Sequence, residues 1–268
     1  MFINLVVGSR INIPETLKRA NSMSTEKGGI PYTGSEELEV MTEARNYNAF
    51  LIGQILRYAP PRANVLDFGA GIGTFAEEVQ SHGHRVMCVE PDPAQRQQIA
   101  AKGLPAVADV GDLKPGSFDF IYSLNVLEHI EDDLAALRAL RDLLVPGGRL
   151  YLYVPAFMLL YSDFDKRIGH YRRYRRQPLV NLAESAGFTV ERSGYCDSLG
   201  FLAWLGLRMA GRVGGVGRGP VTIYDRFIFP LSRLCDLAAQ PFFGKNLALV
   251  ARKSSLAAPA NQPARKTG

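Results

Sequence analysis

The stretch Asp67-Phe68-Gly69-Ala70-Gly71-Ile72-Gly73 places glycines at alternate positions directly after a short apolar run, 64–68. Glycines so spaced let a chain turn tightly at a strand end and bring its main chain close to a ligand. A dinucleotide-binding turn carries G-x-G-x-x-G and offers a helix N-terminus to a pyrophosphate. Here the spacing is G-x-G-x-G behind an acid, which would repel a pyrophosphate and suit a cationic ligand. Glu90 ends the next apolar run, with Pro91 and Asp92 after it, where a carboxylate can take both hydroxyls of a ribose. Loop and acid together specify a nucleoside pocket.

A second chemically able group is KRIGHYRRYRR, residues 166–176, six cations packed around His170, Tyr171 and Tyr174. His170, with an ordinary pKa near ~6.5, could accept a proton from a hydroxyl, and Arg172 and Arg173 could clamp a carboxylate or phosphate with forked hydrogen bonds. The plainer reading is an exposed basic helix start whose tyrosines fill gaps and whose arginines pair with Asp163 and Asp165. The site reading is preferred, because six cations beside a ligand mouth otherwise lack a reason. His82 and His84 flank Gly83 without nearby carboxylates, a poor metal site, and are expected to be solvated. Asp163 with Asp165 alone is weak metal chemistry, so no metal is expected.

The elements that must position these residues follow from the apolar periods. Residues 1–35 hold Pro14, Gly28, Gly29, Pro31 and Gly34 and read as a loose arm. A helical period over 36–58 ends at Pro60-Pro61. Strands are then expected at 64–68, 85–90, 104–108, 118–123 and 149–154, alternating with helices at 73–82, 93–102 and 132–144, the last ended by Pro146-Gly147-Gly148. This is a βαβ series, hence a mostly parallel sheet with helices on both faces. A helix at 178–186 closed by Gly187 and a strand at 188–195 follow, with a final strand at 246–253. Between those two strands, 198–244 is a hydrophobic helical insertion with a glycine-rich hinge at 211–219, and 254–268 is a tail expected to be disordered.

The chain has 268 residues, 47% hydrophobic and 21% charged, which excludes a disordered or fibrous protein. Cys88, Cys196 and Cys235 are far apart and form no C-x-x-C pair, so neither a disulfide framework nor a cysteine zinc site is indicated, and a reducing, intracellular setting fits. No stretch reaches the roughly 18 apolar residues of a membrane span, and 2–7 is too short and lacks a basic leader for a signal peptide. A cytoplasmic protein is expected, in contact with a membrane surface at most peripherally. The formal net charge is +5, and only the run at 166–176 concentrates it.

The motifs taken in order, NVLDFGAGIGTF, VEPDP, GSFDFIYSLNVLEHIEDD and LVPGGRLYLYVP, resemble those of class I S-adenosylmethionine-dependent methyltransferases from about Tyr47 to Val154, and more weakly through 188–195 and 246–253. The resemblance implies a Rossmann-like fold with a seven-stranded sheet. It implies that Gly69, Gly71 and Gly73 close on the methionine part of S-adenosylmethionine, with Asp67 towards its ammonium. Glu90, followed by Pro91, would hold the ribose diol, and Asp109 with Val110 the adenine edge. Asn125 would line the channel near the sulfonium, and Tyr47 with Asn48 would close over the methionine end. The plainer reading of Asp67, Asp109 and Asn125 is loop caps and a turn residue. Val126-Leu127-Glu128-His129 resembles a helix opener whose histidine faces substrate in small-molecule and lipid-quinone members; a satisfied structural histidine is an equal alternative. The GHYRRY segment after Tyr161 and Asp165 resembles a bacterial subgroup working on glycans, lipid-linked sugars and natural products.

The expected activity is therefore O-methylation of a small or medium anionic acceptor. His170, His129 and Tyr171 are the candidate catalytic groups, and Arg172, Arg173, Tyr161 and Asp165 the candidate acceptor contacts. N- or C-methylation of a small molecule, and a non-catalytic relative of the fold, are the alternatives. A nicotinamide dehydrogenase is disfavoured by the glycine spacing and Asp67. Nucleic acid is disfavoured as partner because Ser123-Leu124-Asn125-Val126 is neither a D/N-P-P-Y strand end nor a Pro-Cys nucleophile. The insertion could be a lid, a homodimer face or a peripheral membrane contact, the last favoured by an acyl or prenyl-linked acceptor.

Overall fold

A computed structural model of the chain describes residues 44–209 and 218–254. The expected N-terminal arm, the first part of the helix at 36–58, most of the hinge at 211–219 and nearly all of the tail lie outside the described residues.

The expected alternation is present. Helix α1 (Arg45–Tyr58) buries Tyr47, Leu51 and Ile55, a repeat of four that lays one stripe against the sheet. Then follow β1 (Asn64–Phe68), α2 (Thr74–Ser81), β2 (Arg85–Val89), α3 (Pro93–Ala101), the two-residue β3 (Ala106–Val107) and β4 (Phe118–Leu124). Helix α4 (Asp133–Leu143) starts where the Asp132 side chain accepts the Ala135 amide at 2.9 Å. Strand β5 (Leu144–Pro155), the short α5 (Asp163–Arg167), α6 (Arg176–Ser185) and β6 (Phe188–Cys196) complete the chain up to the insertion. The insertion holds α7 (Ser198–Met209), α8 (Arg218–Ile223), one π-helical turn (Tyr224–Ile228) and α9 (Phe229–Ala239), and β7 (Asn246–Lys253) closes the sheet.

The sheet has seven strands in the order β3-β2-β1-β4-β5-β7-β6. Strand β1 pairs in parallel with both β2 and β4, so the chain winds outward one way, then crosses back and winds the other. That reversal opens a crevice at the carboxyl ends of β1 and β4, where the glycine loop begins. Only β7 runs antiparallel, between β5 and β6. Each inner strand feeds both faces: in β5, Leu150, Leu152 and Val154 join the core under α4 and α6, while Tyr151 and Tyr153 join the core under α1 and α2.

Three local expectations are corrected. Pro146-Gly147-Gly148 lies inside β5, which starts at Leu144; the pairing with β4 jumps from Phe118–Leu144 to Phe120–Arg149, and the glycines accommodate the bulge. Leu127–His129 is a single 3-10 turn and not the opening of a helix, because Asp132 caps α4 only later. His84 is buried as it enters β2, so burial, with His82 adding to it, lowers its pKa; His82 alone is solvated.

The insertion is tied to the core by polar contacts. Helix α1 has no capping side chain of its own; Asp225, from the π-helical turn, accepts the Asn46 amide at 3.0 Å and the Tyr47 amide at 2.9 Å. A carboxylate there also complements the helix dipole. Asp225→Ala should lower stability by about 1–2 kcal/mol, read as a lower urea midpoint; an unchanged midpoint would show that the insertion does not hold α1.

Candidate functional site

The crevice is built from the three strand ends that the topology brings together. Gly69, Gly71 and Gly73 all have positive φ, at 81°, 57° and 77°, which side chains resist. At Gly69 a Cβ would lie 2.3 Å from Cγ2 of Val126, so this glycine is what lets the β1 loop close onto the β4 turn. Glu90 holds the loop from the other side: its Oε2 accepts the Gly71 amide at 2.8 Å and its Oε1 the Asp92 amide at 3.0 Å. A cleft opens there, lined by Phe68, Gly69, Val89, Pro91, Ala108, Asp109, Val110 and Val126. Asp109 caps the 3-10 turn that carries Val110 by accepting the Gly111 amide at 2.7 Å.

The electrostatics of the crevice are those of a site prepared for a cation. Asp67 is buried and accepts the Tyr122 hydroxyl at 2.8 Å. Burial pushes its pKa up to about 7, Tyr122 lowers it and nearby Glu90 raises it further. Burial likewise pushes Glu90 up to about 7, against the pull of the Asp92 and Gly71 amides. Among the described residues no cation pairs with Asp67, and an ammonium brought beside it would restore its charge. Asn125 stands at the end of β4 with φ 54°, its amide donating to Tyr153 O at 2.7 Å and its buried Nδ2 lacking a partner. An apolar cleft beside the buried Glu90 carboxylate, the unpartnered Asn125 Nδ2 and the uncompensated Asp67 fit an adenosine bearing an amino acid group. Tyr47 and Asn48 lie in the first turn of α1, Tyr47 packed between Tyr153 and Phe229.

From Val126 the chain makes the 3-10 turn that carries Glu128 and His129, and the loop around residue 170 docks on it. The Tyr171 amide donates to Glu128 O at 2.8 Å, and the Tyr174 hydroxyl donates to Leu127 O at 3.2 Å. His170 is thereby buried with its ring 4.5 Å from that of His129, centre to centre. Its Nδ1 meets Asp165 at 2.8 Å, and its Nε2 lies 3.7 Å from Oε1 of Glu128. Asp165 has no exposed surface; it also accepts the Ser162 amide and hydroxyl at 2.9 and 3.0 Å and a forked pair from Arg173 at 2.8 and 3.1 Å. Burial alone would raise the pKa of Asp165, but His170 and Arg173 hold it well below the carboxylate range. It is therefore an anion that fixes a proton on His170 Nδ1 and leaves the Nε2 lone pair bare.

The three groups facing one another are all shifted towards neutrality. Burial lowers His170 against the pull of Asp165. Burial, then His170, lowers His129 to about 3, with the Gly169 and Ile168 carbonyls pulling the other way. Burial raises Glu128 well above the usual carboxylate range and so favours its uncharged form. Both Glu128 oxygens, both His129 nitrogens and His170 Nε2 are buried without hydrogen-bond partners. One ligand-capable atom from each residue falls within 4.8 Å of the others, so a water, a cation or an acceptor hydroxyl could complete the set. Spacing along the chain did not reveal this grouping, because Glu128 and His170 come from different loops.

Some residues of the basic run lie elsewhere. Tyr171 is exposed, with the Arg172 guanidinium over its ring, outside the buried cluster. Arg172 is committed to Asp133 Oδ2 and Glu131 O, both at 2.7 Å, and Arg173 to Asp165. Tyr161 donates to the His170 carbonyl at 2.7 Å and so braces the loop. Glu128 was missed by the sequence reading, although its place beside His129 after a β4 end was its signal.

A protein-family model described as a methyltransferase domain matches residues 41–193. Curated relatives include a ubiquinone biosynthesis O-methyltransferase of Xanthomonas campestris pv. campestris, 35% identical over 106 residues that make up 36% of this chain and 44% of that protein. The chain thus spans less than half the length of that relative. An uncharacterised 37.1 kDa protein in a transposon of Streptomyces fradiae is 30% identical over 240 residues, 78% of this chain and 66% of that protein. Among solved structures, a SAM-dependent methyltransferase from Archaeoglobus fulgidus matches with a TM-score of 0.53 at 18% identity, over 80% of this chain and 98% of that one. A Haemonchus contortus phosphoethanolamine N-methyltransferase solved with S-adenosyl-L-methionine matches with a TM-score of 0.52 at 18% identity, over 76% and 52%. At such identities the structures speak for the fold.

The raised acids of the crevice make a pH prediction. An ammonium placed beside Asp67 would require its ionised form, so binding there would release a proton wherever the free carboxyl is protonated. Affinity for S-adenosylhomocysteine should weaken as pH falls through about 7, by up to about tenfold per pH unit for each proton released. Calorimetry across that range checks it; Asp67→Asn should bind weakly and lose most of the slope. A pH-independent affinity in the unmodified chain would contradict the assignment of Asp67.

Proposed function

The chain belongs to the methyltransferase-domain family, and from that premise we propose that it transfers a methyl group from S-adenosylmethionine to a hydroxyl oxygen of a small or medium acceptor, with His170 as the base. The observation that carries this reading is the buried Asp165–His170 pair with its bare Nε2, whose ring lies 4.5 Å from that of His129 on the turn that follows Asn125 and Val126. Residues 36–197 with 245–253 form the catalytic unit of this proposal, and 198–244 its insertion.

The donor site consists of Asp67, the three glycines, Glu90, Pro91, Asp109, Val110 and Asn125, with Tyr47 and Asn48 over one end. S-adenosylmethionine supplies an activated methyl group on a positively charged sulfur when bound. The protein's own work is alignment, exclusion of water and handling of one proton. Val126 packs directly against the Gly69 loop, and its turn carries Glu128 and His129 to His170, so donor loop and base are positioned by one continuous set of contacts. The acceptor O–H proton passes to His170 Nε2 as oxygen gains the methyl group, and the imidazolium that results is stabilised by Asp165 across Nδ1. Neutral Glu128 can donate to the acceptor oxygen and orient it, with His129 beside it. Arg173 and Tyr161 are positioning residues in this account, acting through Asp165 and through the His170 carbonyl. An anionic group on the acceptor would meet the partly exposed Arg172 beside Tyr171 at the outer edge.

The curated O-methyltransferase relatives, which act in ubiquinone biosynthesis by their names, support oxygen as the accepting atom. The buried base adds to this, since an amine acceptor needs less help with its proton.

Turnover with a hydroxyl acceptor should show an acid limb below 6.5, because burial depresses His170 and only its neutral form accepts a proton. His170→Ala should lower kcat by about 10²- to 10⁴-fold while S-adenosylhomocysteine affinity barely moves. Equal loss of both would sink the base assignment. Exhaustive chelation should leave turnover intact; a loss restored by a divalent ion would make Glu128, His129 and His170 metal ligands instead.

A further inference from the structure

The helices of the insertion are inside out. In α9 the buried positions are Phe229, Ser232 and Asp236, while Leu231, Leu234 and Leu237 on the opposite stripe are 51%, 64% and 72% exposed. In α7, Ser198, Gly200 and Trp204 are buried and Leu202, Leu207 and Met209 are exposed. The π-helical turn buries Asp225 and exposes Phe227. A helix packed on a water-soluble core shows the reverse.

The buried polar groups explain how such helices stay attached. Asp236 accepts the amides of Asp197 and Ser198, each at 2.9 Å, and the Ser232 hydroxyl donates to Asp197 at 3.0 Å. Polar joints, with Trp204 and Phe229 beside them, hold the insertion to the sheet end, and most of its remaining large apolar side chains are left for the outside. Exposed apolar residues in such density mark an interaction surface.

Charge selects the occupant. Residues 198–244 contain five arginines and two acids, Asp225 and Asp236, and both acids are buried. No described carboxylate of the insertion therefore faces outward, whereas Arg226 lies over the ring of exposed Phe227 and Arg208 reaches from the end of α7. Two copies of a cationic face would repel each other. Arg233 is turned inward, paired with Asp236 and lying over Phe50, but exposed apolar side chains with Arg226 among them and Arg208 at the end of α7 match an anionic lipid surface, in which the stems sink and the guanidiniums reach phosphate. Among the described residues no helix is long and apolar enough to cross a membrane, so the contact lies on the surface.

We propose that α7, the π-helical turn and α9 seat the protein on an anionic phospholipid surface. The same surface borders the candidate active site: Trp204 Nε1 donates to Leu160 O at 2.9 Å and Arg208 to Tyr161 O, in the segment that leads to Asp165, and Met158 and Leu159 of that segment are exposed. Resting on the reading of the site as a methyl-transfer centre, this placement selects acceptors with an apolar tail held in the bilayer.

The full chain is mixed with vesicles of phosphatidylcholine alone or with added phosphatidylglycerol, without cofactor or acceptor, and bound protein is read by flotation. At least about tenfold tighter partitioning to the anionic vesicles, weakening as salt rises, is expected. Leu231→Ser combined with Leu234→Ser and Leu237→Ser should abolish it while keeping the melting temperature and S-adenosylhomocysteine affinity, since these side chains are exposed. No partitioning, equal partitioning to both vesicles, or partitioning that the triple variant retains would each overturn the proposal. So would a lipid-free dimer that the triple variant dissolves, which would assign the face to a second copy. Because the readout needs no turnover, it stands or falls apart from the methyl-transfer reading.

Discussion

Asp165 is a fully buried negative charge, and the arrangement around it depends on that charge being compensated. The amide and hydroxyl of Ser162 at the start of α5, the Arg173 fork and the His170 ring deliver five hydrogen bonds to its two oxygens. A buried ion is tolerable only when so surrounded, and removing a partner leaves the charge uncompensated. The same contacts settle the path of the loop from 162 to 174, and with it the place and tautomer of His170. The cations of this run thus have two physical roles: Arg173 makes the buried anion stable, while Arg172 pins the loop to Asp133 at the start of α4.

The second dependence runs through Val126. The glycine loop can approach the β4 turn because Gly69 has no side chain, and the residues following Val126 carry Glu128 and His129 to the docked loop. The glycine-loop crevice and the buried cluster around His170 are therefore one packed unit. In the crevice, Asp67 and Glu90 are held protonated up to about 7 by burial, which costs folding stability at neutral pH: the unfolded carboxyls ionise near 4 and the folded ones do not until higher pH. A site of this kind gives up stability for readiness to take a cation. The insertion joins the same unit, through Asp225 on the start of α1 and Trp204 on the segment before Asp165.

The alternating strands and helices, the glycine loop and Glu90 were legible because each signal is local: period, turn residues and an acid at a strand end. The fold follows from them through the handedness of βαβ units. The bulge in β5 was not legible, since Pro146-Gly147-Gly148 stops a helix and relieves a strand with equal ease, and only pairing with β4 decides between them. The burial of His84 was hidden in the same way by the Gly83 turn beside it. In the candidate site the sequence pointed to His170 and to Asp165 separately, yet their hydrogen bond, the partnership with Glu128 and the outward turn of Tyr171 depend on how two distant loops dock. The insertion's density of apolar residues was plain, but its inverted faces were not, because they arise from buried Asp225, Ser232 and Asp236 whose partners lie far along the chain.

The most direct test of the account is nitrogen NMR of the His170 ring in the full chain, assigned by comparison with His170→Ala. The account predicts a neutral imidazole at pH 7 with its hydrogen on Nδ1, a bare Nε2 and a titration below 6.5. A ring carrying its hydrogen on Nε2, or one still doubly protonated at pH 7, would contradict it.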